Sequence, residues 1–209
     1  MRKTDSRPTA IVGATEHGNS VVLVTVTPQG ELLDRRRVDL TDGSLPTHPH
    51  HHEGSWAVGR YKNSPWAREI SLADAIELVE RVRLAANGEA HQILATLAEQ
   101  VPEPIAAIAI RQCPELPATT EERINDNRAQ TVADSVMYRQ ALAAAAQARG
   151  WQVVWYNRER VFAEAAAALN CDDINAHLLT MGKSIGPPWQ ARHKLAAAAA
   201  LASGPACLD

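Results

Sequence analysis

The chain has 209 residues, 45% of them hydrophobic and 22% charged, with a formal net charge of −3. That supplies enough apolar material for one domain of ordinary to large size, and it excludes a chain-wide basic surface, so any nucleic-acid-binding face must be local. No apolar run reaches membrane-spanning length, the first residues hold no signal-peptide core, and three widely spaced cysteines (Cys113, Cys171, Cys207) without a CxxC pair argue for a reducing, cytoplasmic setting.

Three strands open the chain. Thr9–Ala14 is a short apolar run suited to a buried strand, and Asn19–Val26 is rich in β-branched residues. Glu31–Val38 follows the turn signal Pro28-Gln29-Gly30, so an antiparallel meander is expected. Residues 40–70 form an irregular, polar, histidine-rich insertion. Ser71 with Asp74 at capping-box spacing opens a helix, which the pair Asn87-Gly88 is expected to break before a second piece over His91–Gln100.

Pro104–Ile110 is apolar enough for a central strand. A proline-containing loop leads to a helix stopped by Gly150, and Trp151–Tyr156 is a fifth strand. Helices are expected at about 158–169, 172–182 and 188–203, the last with Pro188 in its first turn and an alanine block over 196–200. No repeat or linker divides the chain, so residues 1–209 are read as a single domain.

Several clusters carry chemistry. Glu16 and His17 leave the first strand at the edge where an α/β sheet binds ligands, as acid and base or as metal ligands. His48, His50, His51 and His52 crowd one loop, and imidazoles suit Zn or Ni; the alternative is a solvated loop. Arg35, Arg36 and Arg37 in succession suggest an exposed edge strand, and with Arg60, Lys62, Arg68, Arg158 and Arg160 they form either a phosphate-binding face or a solvated edge with scattered surface charge. Trp189 either anchors the last helix or stacks on a base. Met181-Gly182-Lys183-Ser184 lacks the first glycine of a P-loop and ends a helix, so it is set aside.

This order of elements resembles the ribonuclease H-like superfamily, and more narrowly the RuvC-type resolvases, over about residues 9–203. The resemblance implies an α/β fold with a mixed five-stranded sheet, three strands in an antiparallel meander plus two parallel, flanked by helices. It also implies acids at the ends of strands one and four and on the last helix, holding Mg or Mn ions that activate water. Carried over position by position, those acids fall at Thr15 (with Glu16 adjacent), at Arg111, and at His193 and Ala196. An arginine and an alanine cannot ligate a hard cation, so the resemblance implies a substituted, weakly catalytic or non-catalytic site.

The expectation is a protein that binds DNA or RNA, or a nucleic-acid-processing partner, through the former active edge, with Arg35, Arg36, Arg37, Arg111 and Lys194 as the nucleic-acid-binding residues. One alternative is a divalent-metal-dependent nuclease built on Glu16, His17 and His193; another is a protein-interaction scaffold. The alanine blocks suggest a packing surface for a homodimer, as resolvase-like proteins use. A two-lobed sugar-kinase-like ATPase would need a second copy of the fold, which this length does not supply.

Overall fold

The computed structural model describes residues 9–51 and 70–204. Its strands are β1 (Ala10–His17), β2 (Ser20–Val26), β3 (Leu32–Asp39), β4 (Ile105–Arg111) and β5 (Gln152–Tyr156). They form one sheet in the order β3-β2-β1-β4-β5, antiparallel within the meander and parallel among β1, β4 and β5. The meander therefore stands as expected, with β3 on an outer edge.

Two helical layers cover the sheet. On one face lie α1 (Leu72–Gln100) and α3 (Asn127–Ala148), with the short α2 (Thr120–Asn125) beside them. On the other lie α4 (Val161–Ala168), α5 (Ile174–Ile185) and α6 (Ala191–Ala202). Strand alternation sorts the core: Val12, Leu23 and Ile108 pack toward α1 and α3, while Ile11, Val24 and Ala109 pack toward α6.

Three expectations change. The helix from Ser71 does not break at Asn87-Gly88, because its buried stripe (Val82, Ala86, Ala90, Leu94) runs straight through, and one glycine costs only about 1 kcal/mol in a helix interior. The segment before Gly150 is two helices, divided at Asp126, whose carboxylate accepts from the backbone N–H groups of Arg128 and Ala129. The last helix starts at Ala191, so Pro188 lies in the connection before it.

The alanine block proves to be core. Ala196 through Ala200 are each 0% exposed, and α6 lies so close to β1 that a Cβ on Gly13 would stand 1.8 Å from the Ala196 carbonyl oxygen. Small residues on both sides permit that approach. The block is spent inside the chain, so a homodimer would have to use another surface.

Candidate nucleic-acid interface

Because β1, β4 and β5 are parallel, all three end on the same edge of the sheet. The residues leaving them, together with α3 and the start of α6, wall a cleft of two adjoining cavities. The inner one, about 310 Å³, is floored by Thr15, Glu16 and His17 from β1 and walled by Ser135 and Arg139 of α3 and by Ala191, Arg192 and Leu195 of α6. The outer one, about 620 Å³, runs along Gln112, Cys113 and Pro114 after β4, Asn157 and Glu159 after β5, and Thr131 and Val132 of α3. Arg111, Ser135, Arg139, Tyr156 and Arg158 belong to both.

Helix periodicity explains what α3 contributes. Thr131, Ser135 and Arg139 stand four apart and share the face that lines the cleft. Gln130, Asp134 and Tyr138, one position earlier each, form a neighbouring stripe that holds the histidine loop: Tyr138 donates its hydroxyl to the Thr47 carbonyl at 3.0 Å.

Inside the cleft, Arg139 grips Glu16. Its Nε donates to Glu16 Oε1 at 2.8 Å, its Nη2 donates to the same oxygen, and its Nη1 donates to the Gln112 carbonyl at 2.9 Å. Both side chains are only 6% exposed. The side chains of Arg111 and Arg158 have no hydrogen-bond or ion-pair partner among the described residues. Arg192 makes a long contact to the Ser20 hydroxyl at 3.4 Å. The inner cavity thus sets four guanidinium groups against one carboxylate that is already engaged.

Burial pushes the Tyr156 hydroxyl pKa up, and that hydroxyl donates to the Ala14 carbonyl at 3.3 Å. Burial also raises the Cys113 thiol, an effect the nearby Arg139 cation opposes. Neither group is primed as a nucleophile.

The other expected site residues fall as follows. His17 is exposed and lines the inner cavity beside Glu16. His193 does not line either cavity: it is buried, its Nδ1 accepts from the Gln190 backbone N–H at 3.1 Å, and its ring stacks on Trp189 with centroids 5.7 Å apart. Burial lowers its pKa, and the Arg35 and Arg192 cations lower it further. Trp189 lies over Gly182, so it anchors α5 to the start of α6. Lys194 also lines neither cavity.

The three arginines of β3 are spoken for. Arg35 donates to the Gly186 carbonyl at 2.9 Å and to the Pro188 carbonyl, fastening the connection into α6. Arg36 forks onto Asp34, and Arg37 pairs with Asp39 at 3.1 Å. Arg160 pairs with Glu164, while Arg60, Lys62 and Arg68 lie outside the described residues.

The described histidines of the loop each meet a different neighbour. His50 is buried, with Nδ1 at 2.7 Å from Asp134 Oδ1, and its backbone N–H donates to the same oxygen at 3.1 Å. His51 Nδ1 meets Gln130 Oε1 at 3.2 Å, and His48 Nδ1 meets the Thr47 hydroxyl at 2.7 Å. His52, like the insertion over 52–69, lies outside the described residues. Among the described residues no group of three or more His, Cys, Asp or Glu is placed to hold a metal ion.

A pair of hard divalent cations does not fit the cleft either. Such ions want several carboxylate or carbonyl oxygens. Here Glu16 is bound by Arg139, Arg111 occupies the β4 position, Ala196 has no donor, and His193 is turned into its own helix start. The donor set is cationic where a metal would need anions.

With that geometry in place, the fold belongs to the ribonuclease H-like class, a mixed five-stranded sheet with helices on both faces. The chain is similar to Thermus thermophilus RuvC in complex with Holliday junction substrate, with a TM-score of 0.50 and 13% identity over 96% of each chain. A second Thermus thermophilus RuvC structure aligns with a TM-score of 0.47, again at 13% identity over 96% of each chain. No family model matches the sequence, and no curated protein is similar to it in sequence. Among the described residues no helix is long and apolar enough to cross a membrane.

Sequence reasoning missed Arg139, Arg192 and Ser135. The one available signal was the four-residue spacing of Thr131, Ser135 and Arg139 through an otherwise alanine-rich helix.

Proposed function

We propose that the protein binds nucleic acid through the arginine-lined cleft at the carboxyl edge of β1, β4 and β5, without cleaving it. The observation that carries this reading is the inner cavity's four guanidinium groups, set around a single carboxylate that Arg139 already neutralises. Guanidinium groups recognise phosphate by paired hydrogen bonds as well as charge. The similar Thermus thermophilus protein holds a Holliday junction substrate, which favours DNA as the first ligand to try. Three widely spaced cysteines, with Cys113 and Cys171 free, accord with a cytoplasmic setting.

The test is a fluorescence binding and cleavage assay on branched, duplex and single-stranded DNA and RNA, in Mg²⁺, Mn²⁺ or EDTA. Binding that persists in EDTA, falls with salt and weakens in Arg111→Glu and Arg158→Glu is expected. Each phosphate contact removed should flatten the plot of log affinity against log salt by roughly one. Arg37→Glu, outside the cleft, should change little. Metal-dependent cleavage would instead establish a nuclease working through Glu16, His17 and His193, which requires Glu16 to leave Arg139. Absence of any nucleic-acid binding would leave an interaction scaffold.

A further inference from the structure

We propose that the cleft recognises a terminal phosphate, a phosphomonoester at the end of a strand or on a free nucleotide, and holds it directly through Arg111, Arg158 and Arg192 with no metal between. This rests on the cleft being the ligand site proposed above and names the ligand group it takes.

Charge balance is the first ground. Once Glu16 is paired with Arg139, three further cations remain along the inner cavity. An internal phosphodiester brings one negative charge. A terminal phosphate brings roughly −1.5 to −2 at neutral pH, with three acceptor oxygens for planar, forked donors. The monoester is the better match to a site this cationic.

Shape is the second ground. The inner cavity is enclosed by the end of β1 below and by α3 and α6 at the sides. Its contact with the outer cavity runs along Arg111, Arg139, Tyr156 and Arg158. A phosphate lodged in the inner cavity would leave its sugar and base in the outer one, where Gln112 Nε2 makes only a long 3.4 Å contact to the Trp155 carbonyl and Asn157, whose Oδ1 accepts from the Glu159 N–H, keeps its amide donors. Cavities of about 300–1,000 Å³ are the usual size for small-molecule and cofactor sites.

Composition is the third. An arginine at Arg111, at the end of β4, fills the place where the resemblance puts a metal-ligating acid, so the site supplies positive charge from the chain itself. Binding therefore has no requirement for a divalent ion.

The experiment measures fluorescence anisotropy of one short single-stranded DNA in three versions, with a 5′-phosphate, with a 3′-phosphate and with hydroxyls at both ends, all in EDTA. Unlabelled nucleoside monophosphate and inorganic phosphate serve as competitors. Tighter binding of at least one phosphorylated version by about tenfold is expected, the scale of one charge-assisted contact. That preference should vanish in Arg111→Gln and Arg158→Gln, whose fold is checked by thermal melting; neither side chain has a partner among the described residues, so both variants should fold.

Equal binding of all three versions would overturn the terminal-phosphate inference while leaving nucleic-acid binding intact. Binding of the mononucleotide in isothermal titration calorimetry, without binding of any oligonucleotide, would overturn the nucleic-acid reading and support the phosphate site, with a free nucleotide as its source. Binding of nothing would overturn both. A preference that appears only with Mg²⁺ and disappears in EDTA would overturn the direct, metal-free contact.

Discussion

Arg139 reaches Glu16 across 123 positions of sequence and donates to one carboxylate oxygen from both Nε and Nη2. The contact ties α3 to the end of β1, and Nη1 ties the same guanidinium to the Gln112 carbonyl after β4. One side chain thus joins three elements at the mouth of the cleft. The two charges are almost fully out of water, so either one alone is expensive to keep there.

Removing one partner should therefore cost more than removing both. Arg139→Ala and Glu16→Ala are each expected to lose about 3–5 kcal/mol in urea unfolding. The double variant Glu16→Leu/Arg139→Met should recover most of that loss, since well-packed apolar replacements spare the desolvation. Arg139→Lys should behave as a partial loss, because an ammonium cannot reproduce donors in three fixed directions.

Two glycines make opposite predictions. Gly13→Ala would drive a Cβ into the Ala196 carbonyl, which is backbone and cannot rotate away. A loss of about 3 kcal/mol or more is expected. Gly88 lies in the exposed interior of α1 with open space around it. Gly88→Ala should stabilise by about 0.5–1 kcal/mol, read from the shift in urea midpoint.

His193 gives the fold a pH dependence. Its pKa is held below the ordinary histidine value by burial, then by Arg35 and Arg192. The unfolded chain therefore takes up the proton first as pH falls. Stability from this residue is full above the ordinary histidine pKa of about 6.5 and drains away as pH drops through the lower folded value. Thermal midpoints from pH 7.5 to 5 should decline in the parent protein. His193→Gln, which keeps an acceptor at the third helical position without titrating, should flatten that decline.

Cys113 reports on the cleft. Burial raises its thiol pKa, so alkylation by iodoacetamide should be slow at neutral pH and accelerate in alkali. Because Cys113 lines the outer cavity, a phosphorylated oligonucleotide should slow its labelling further, followed peptide by peptide in mass spectrometry. Cys171, which lines neither cavity, serves as the internal control.

Strand existence and order could be read from the sequence because β-branched runs such as Val21–Val26 and the flanking turn residues carry their own local signal. The edge position of β3 was also visible, since Arg35, Arg36 and Arg37 cannot all point into a core. Their pairing was not: Asp34 and Asp39 lie two residues away on the same strand, and Arg35's partners are carbonyls more than 150 positions later. Glu16 was legible as a cleft residue but not as a bound one, because Arg139 gives no sign of its target until the chain folds. The partners of the histidine loop were hidden for a related reason. Imidazoles adjacent in sequence suggest a shared ion, yet Asp134 and Gln130 on α3 draw His50 and His51 to separate partners.

The close seating of α6 on β1 has a mechanical consequence. With the Ala196 carbonyl seated this close to Gly13, any shift of α6 across β1 would run backbone against backbone, which couples the floor of the cleft to the wall bearing Arg192. The opposite wall, α3, packs on the other face of the sheet and joins that unit at the cleft mouth through the guanidinium of Arg139.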